Sequence, residues 1–463
     1  MHLEGIRMAT LKNNNLQEQI DTTINLLKTQ YLADDRPWVV TYSGGKDSTC
    51  VLQLTLTMLQ KLHKEGKDTK HTYIVSSDTT VEMPIIEKYL ESKLNEISNF
   101  AQKSNLKLSC HKLSPDVEDS FWSLMLGKGY PAPTSTFRWC TERLKIDPAT
   151  DFLTNLVNKH QSILMLLGVR SAESQARQTS IEKRKLNQRG LSPHENIPDA
   201  YVLSPIKHWS NEDVWTYLSN TQELDIPLPW SDHSYMMSLY DKGSGEGDCN
   251  IALNPESPSC GKTRFGCWVC TVVEKDRSME GMLKNGEEWM APLWKYRELL
   301  YEWRQPDSGK RDTRRRNGTL GPGPFLPQTR RKLLERLLEV EKQVNANYHS
   351  MKKDSPDYNS QEYIELIQDD EIQLIQKYWD GDGDIKKSAF RIAQKYGRLM
   401  NESIETPLRD KLEQYEDKLN IDLFERIYEI EAYRKNISTR YGVIKDIEKR
   451  VVDFYKGEYR EAN

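Results

Sequence analysis

The chain has 463 residues, of which 37% are hydrophobic and 29% charged, and its formal net charge is −4. That length accommodates two or three domains around one sizeable core, and the charge balance excludes a uniformly basic nucleic-acid binder. No apolar run approaches a membrane span and residues 1–20 are too polar for a secretory signal, so a cytoplasmic location without membrane association is expected.

Taken in chain order, Leu16, Ile20, Ile24, Leu27 and Tyr31 recur at helical spacing and predict an N-terminal helix over 14–33. A β-branched strand over 38–42 runs into Gly44 and Gly45, and a helix pattern starts at Ser48. A second strand spans 71–78, a helix opened by Pro84 covers 84–104, and a third strand covers 106–113. Residues 114–137 read as loop and 147–159 as helix. The run from Ser162 to Val169 is apolar throughout, as in a strand covered on both faces. Alternating strands and helices predict a parallel α/β sheet with ligands at the strand C-terminal ends, where Gly44, Gly45, Asp78 and Arg170 fall. Residues 172–200 read as a polar, basic loop, and 220–265 as a Pro/Gly/Ser-rich stretch of little periodicity. Beyond Gln328 the pattern is helical and heavily charged.

The chemistry starts at Ser43-Gly44-Gly45-Lys46-Asp47-Ser48. A strand, a glycine turn and a helix start bring backbone N–H groups close to an anion. The spacing is not that of a Walker loop. It resembles the pyrophosphate loop of enzymes that split ATP into AMP and pyrophosphate. Lys46 offers a point charge to phosphate, and Arg170 a bidentate one. Ser43 and Ser48 offer hydroxyls. Asp47 and Asp78 are candidate Mg²⁺ ligands, and Glu173 is placed to orient Arg170. Trp209, Trp215 and Tyr217 read as packing residues, and Ser210 with Asp213 as a helix cap.

Of seven cysteines, Cys50 and Cys110 sit in apolar or β-like surroundings and read as packing residues. Cys140, Cys249, Cys260, Cys267 and Cys270 point to a metal: four thiolates serve zinc and a [4Fe–4S] cluster equally well.

Three further segments, with the loop, resemble phosphoadenylylsulfate reductases in order along 38–230: Phe137-Arg138-Trp139-Cys140, Gly168-Val169-Arg170-Ser171-Ala172-Glu173-Ser174, and Pro205 to Leu218. The stretch from Pro258-Ser259-Cys260-Gly261 to Arg264-Phe265-Gly266-Cys267-Trp268-Val269-Cys270 is similar to the DndC-type sulfurtransferases of bacterial DNA phosphorothioation. That resemblance implies an adenine nucleotide alpha hydrolase-like (pyrophosphate-loop) fold and ATP pyrophosphatase activity with Mg²⁺. It also implies a [4Fe–4S] cluster, sulfur from a cysteine desulfurase, and partner phosphorothioation proteins acting with it on DNA. The implied catalytic residues are Lys46, Asp47, Arg170 and Cys260. The implied cluster ligands are Cys140, Cys249, Cys267 and Cys270, with Cys260 as spare ligand or sulfur carrier. Cys140 is followed by Thr141 rather than a second cysteine, and the reductases' Glu-Cys-Gly tail is absent, so reduction of activated sulfate is disfavoured. A tRNA thiolase, a sulfonucleotide reductase and a non-catalytic ATP-sensing subunit with structural zinc remain alternatives.

The expected organisation is a nucleotide-binding domain over 1–235, a cysteine-rich region over 236–300, and a basic linker with a charged helical region over 301–463. Within it, residues 301–336 hold ten Lys/Arg against four Asp/Glu, enough for a phosphate-contacting surface. Gly318 to Pro327 reads as a hinge.

Overall fold

The computed structural model describes residues 2–171, 187–223, 226–244, 266–355, 358–399, 407–414, 418–435 and 442–456. Helix α1 (His2–Leu32) leads into β1 (Trp38–Thr41), α2 (Lys46–Lys64), β2 (Thr72–Ser77), α3 (Pro84–Lys103) and β3 (Leu108–Leu113). A short helix α4 (Trp139–Thr141) continues through a wide-turn segment, Glu142–Ile146, into α5 (Asp147–His160). Strands β4 (Ile163–Leu166), β5 (Ser192–Pro193) and β6 (Ala200–Leu203) complete the sheet, followed by α6 (Asn211–Ser219) and α7 (Ser234–Ser244). The remaining helices are α8 (Arg277–Lys284), α9 (Ala291–Trp303), α10 (Pro327–Met351), α11 (Asp369–Gly381), α12 (Ser388–Lys395), α13 (Leu408–Leu412), α14 (Lys418–Lys435) and α15 (Val443–Tyr455).

The sheet order is β3-β2-β1-β4-β6-β5. Every pairing is parallel except β5 with β6. Strand β1 is succeeded by β2 on one side and flanked by β4 on the other, so the direction of winding reverses between β1 and β4. The crevice outside their C-terminal ends is where such sheets bind ligands. Both strands are apolar because both faces are covered: Trp38, Val39 and Val40, and the whole of β4, are buried. On one face lie α1, with Leu27 and Tyr31 fully buried, and α2, whose Val51, Leu52, Leu54 and Leu56 are inaccessible. Trp209, Trp215 and Tyr217 pack in this core as expected, Cys50 is buried there, and Ser210 and Asp213 form a reciprocal capping box on α6.

Four stretches differ from the sequence reading. Residues 123–127, expected as loop, form a buried wide-turn helical segment. Residues 234–244, expected to be irregular, form α7. The expected hinge is a paired hairpin, bridged at Arg311 with Phe325 and at Arg314 with Leu320, and its Phe325 N–H donates to the Gly129 carbonyl at 2.7 Å. Several of the basic block's arginines serve structure: Arg311 donates to the carbonyls of Gly323 and Arg304, Arg314 to that of Gly318, and Arg330 to Gly127 O and Asp382. Arg315 and Arg316 stay exposed, Arg316 with one terminal nitrogen donating to Lys128 O and its guanidinium 5.0 Å from the Tyr130 ring centroid.

One buried cluster runs from Leu16 to Leu399. Its seam with α11 is bridged by polar contacts: Trp379 Nε1 donates to Leu126 O at 2.8 Å, Trp122 Nε1 to Leu366 O at 2.6 Å, and Ser120 Oγ to Glu371 Oε1 at 2.5 Å. Burial pushes the Glu371 carboxyl up to about 7, against the pull of Ser120 and the Gln368 amide. Raised above its unfolded value, this carboxyl contributes stability that is complete below about pH 4 and is lost as pH rises through about 7. Glu371→Gln keeps one acceptor for the Gln368 amide and offers a donor to the Ser120 hydroxyl. Urea unfolding at pH 5.5 and pH 8 should therefore show the variant gaining on the wild type at the higher pH, by on the order of 2 kcal/mol. An unchanged difference between the two pH values refutes this account.

Candidate active site

The glycines explain how the loop forms. Gly44 adopts φ +70°, and a Cβ there would also press on the Tyr89 ring at 3.3 Å. A Cβ on Gly168, just past β4, would stand 2.8 Å from the backbone of Asp47 and Ser48. Two backbones thus meet where only glycine fits. Ser48 Oγ bonds the Gly45 carbonyl at 2.9 Å, accepts the Ser43 N–H at 3.2 Å, and lies 3.1 Å from Ser43 Oγ, which fixes the turn from within. Gly45 is the N-cap of α2 and supplies no side-chain cap, so the first amides of the helix face the crevice.

Arg170 is buried and donates from Nε to Asp47 Oδ1 at 2.6 Å and from a terminal nitrogen to Asn211 Oδ1 at 3.4 Å. Lys46 Nζ stands 3.3 Å from Asp47 Oδ2. Asp47 is thus the residue that orients Arg170. Glu173, expected in that role, lies outside the described residues. Asp78, after β2, accepts from Lys112 Nζ at 2.9 Å, Ser114 Oγ at 3.2 Å and the Thr80 N–H at 2.8 Å. Burial alone would lower the Lys112 ammonium; its bond to Asp78 more than offsets this and holds it above its ordinary value. Asp47 and Asp78 both face the crevice, but each is engaged with cationic side chains, so either would hold Mg²⁺ only by exchanging those partners.

The crevice encloses about 730 Å³ and extends from Ser43–Ser48 past Asp78 to Glu82 and Lys145. Glu82 is the turning point. Its Oε1 accepts from Thr79 Oγ1 at 3.0 Å and Lys145 Nζ at 3.4 Å, and Cys267 Sγ lies 3.9 Å away. Glu82 and Cys267 pair as an isolated antiparallel bridge, and the Trp268 N–H donates to Val81 O at 3.1 Å. Thr80 beside them has φ +60°, a strained conformation for a β-branched residue of the kind that collects at functional sites. Lys145 sits on the wide-turn segment after Cys140. Burial lowers its ammonium pKa, but Glu82 and the sulfurs of Cys267 and Cys140 raise it by more.

Burial pushes the Cys140 and Cys267 thiols up, Cys267 strongly, and the neighbouring Cys270 adds to both. Thiols are soft donors of the kind a thiophilic metal needs. Among the described residues, however, no group of three or more His, Cys, Asp or Glu side chains is placed to hold a metal ion. Cys249 and Cys260 lie outside the described residues. The cysteine turn itself is tightly held. Arg297 of α9, 1% exposed, donates to the carbonyls of Cys270 at 2.9 Å, Glu274 at 2.9 Å and Val273, and Thr271 Oγ1 donates to Pro133 O at 2.7 Å.

Sequence reasoning missed Glu82, Lys145, Asn211, Arg297 and Tyr240. Asn211 lay inside a quoted segment, one position past Ser210, and Lys145 stands five positions past Cys140. Tyr240 had a signal: Met236, Leu239 and Tyr240 recur at helical spacing within the stretch read as irregular.

Residues 37–273 match the family described as the phosphoadenosine phosphosulfate reductase domain. The chain is 27% identical to the uncharacterized protein MJ0066 of Methanocaldococcus jannaschii over 59% of its own length and 45% of that protein. It is 23% identical to the uncharacterized protein MJ0973 of the same organism over 65% of its length and 64% of that protein. The chain thus spans between about half and two thirds of these relatives. Among solved structures it is similar to the phosphoadenylyl-sulfate reductase of Candida auris in a phosphate complex, with 16% identity and a TM-score of 0.30 over 48% of this chain and 90% of that one.

The contact at Gly168 yields a direct test. Gly168→Ala drives a methyl into backbone that cannot yield, so the loop must shift. Pyrophosphate binding by calorimetry should weaken at least tenfold while far-ultraviolet circular dichroism stays as in the wild type; undiminished binding refutes the assigned geometry.

Proposed function

Because the chain belongs to the phosphoadenosine phosphosulfate reductase domain family, we propose that it is an ATP pyrophosphatase and sulfurtransferase acting in DNA phosphorothioate modification. One observation supports this above the others: the glycine loop with Lys46 and Arg170 lines one end of a crevice whose other end, Glu82, touches Cys267. In this reading the nucleotide end lies in the crevice, and the sulfur of Cys267, which does not itself line it, lies just behind Glu82. Cys140 is followed by Thr141, which favours sulfur transfer over the reduction of an activated sulfate.

In this reading a non-bridging oxygen of a DNA phosphodiester attacks the α-phosphorus of ATP, and pyrophosphate leaves into the loop. The phosphate oxygen, a poor leaving group, then departs as part of AMP when a sulfur nucleophile takes the backbone phosphorus. The loop amides, Lys46 and Arg170 stabilise charge gathering on pyrophosphate, and Asp47 holds the guanidinium in place. Asp47 through Oδ2, once relieved of Lys46, and Asp78, once relieved of Lys112, would hold Mg²⁺, with Asp47 Oδ1 staying on Arg170. Cys140, Cys267 and Cys270, which are not placed to hold a metal as they stand, would draw together around a [4Fe–4S] cluster with Cys249 or Cys260 completing the set; when bound, such a cluster supplies soft iron sites for sulfide. Arg297 keeps the Cys270 backbone fixed, and Lys145 and Glu82 set the charge beside Cys267. A cysteine desulfurase would supply sulfur as a persulfide on the candidate carrier Cys260, a dithiol reductant would release it at the sulfide level while becoming a disulfide, and the exposed Arg315 and Arg316 would meet DNA within a complex of partner proteins.

Two tests bear on this. Asp47→Ala and Ser43→Ala should each abolish the AMP and pyrophosphate formed from ATP by the wild-type protein assembled with its partners on DNA. ADP and phosphate as wild-type products sink the reading, and sulfur found in tRNA or released as sulfite redirects it. Separately, Cys270→Ser should lose most of the iron and acid-labile sulfide of anaerobically purified protein, since oxygen is a poor substitute for a thiolate. Stoichiometric zinc without sulfide in the wild type means a structural site instead.

A further inference from the structure

Tyr240 on α7 meets the loop at the place where an anion belongs. The Lys46 N–H is the first amide of α2, and with Gly45 as N-cap it receives no side-chain cap. The Tyr240 hydroxyl oxygen accepts from this N–H at 3.3 Å. A Cβ on Gly45 would stand 3.2 Å from the same oxygen, so the phenol abuts the loop backbone itself. Lys46 Nζ lies 5.3 Å from the ring centroid. Trp215 meets the ring edge-to-face at 5.2 Å, and the side chain is only 8% exposed.

We propose that Tyr240 is the resident occupant of the pyrophosphate seat, a hydroxyl that the incoming phosphate oxygen must displace, and that it thereby sets the loop's affinity for its anion. The inference rests on the reading of this loop as a pyrophosphate seat. A neutral oxygen is a weak partner for a helix N-terminus, where an anion gains from both the amides and the dipole. The phenol is neutral at physiological pH at its ordinary value, and burial pushes it further up to about 12, with the Lys46 amide pulling it back in part. The seat is therefore occupied by an interaction weak enough to be exchanged, while the loop itself is held from within by Ser43 and Ser48. Helix α7 has little freedom to retreat as a whole. Asn285 Nδ2 donates to Lys242 O at 2.9 Å, Lys242 Nζ bonds Glu287 Oε1 at 2.6 Å, and a Cβ on Gly281 would lie 2.7 Å from Lys242 O, so α8 packs against its C-terminal turn at van der Waals distance. Exchange then falls to the Tyr240 side chain.

The test is calorimetric titration of the full chain with pyrophosphate alone, in the wild type and in Tyr240→Phe, which keeps the ring against Trp215. With one competing hydrogen bond removed, the variant should bind roughly fivefold more tightly, while its unliganded melting temperature stays near that of the wild type. Should the Phe variant fail to fold, Tyr240→Met carries the same expectation. Equal or weaker binding by the variant, with the wild type binding normally, overturns the proposal; a weaker value makes the hydroxyl a ligand of the anion. No pyrophosphate binding by either protein overturns the assignment of the loop, and this proposal with it.

Discussion

The Arg170–Asp47 pair, set over the contact between Gly168 and the loop, is the constraint on which the rest of the site depends. It ties the end of β4 to the start of α2 across the point where the sheet reverses its winding. Removing either partner would leave a nearly buried charge unmatched, which costs far more than the pair contributes when whole. The same pair fixes the guanidinium plane, so the cation is positioned before any ligand arrives. Such preorganisation is what gives fixed charges their advantage over water around a developing anion.

The C-terminal helices belong to this arrangement. Arg330, Trp379 and Glu371 reach back to the carbonyls and hydroxyl of residues 120–127. That segment also brings Phe121 into stacking contact with Trp139, beside Cys140. A wide-turn helix leaves some of its carbonyls poorly matched, and here side chains distant in sequence take them up. The helices past residue 327 therefore help hold the wall on which Cys140 stands. Arg297 plays a comparable part for Cys270, through carbonyls and not through the sulfur.

Much of this was legible in the sequence because periodicity and turn chemistry are local. The strand–glycine–helix loop, the buried β4 and the capping box of α6 all follow from neighbouring residues, and each stands where the pattern puts it. What escaped depends on contacts far apart in the chain. Nothing adjacent to Glu82 marks it as the neighbour of Cys267, 185 positions away. Asp47 read as a metal ligand because a lone carboxylate in a phosphate loop invites that role; its bond to Arg170, 123 positions on, could not be seen. The basic block hides its contacts in a different way. Charge counts treat every arginine as solvated, whereas Arg311 and Arg314 are taken up by backbone carbonyls, which carry no formal charge to balance the count, and Arg330 by a carbonyl and Asp382.

The short antiparallel partner at the sheet's edge has a bearing on how the protein behaves in a crowded solution. Strand β5 is two residues long, and one of them is Pro193, which has no N–H to donate. A foreign strand approaching from that side would find too little edge, and one donor missing, to extend the ladder. Natural sheets blunt their margins in this way against indiscriminate self-association. The opposite margin, β3, has no such stop and is six residues long. Any tendency of the folded chain to add strands, to another copy or to a fibril seed, would therefore be lopsided, confined to the β3 side.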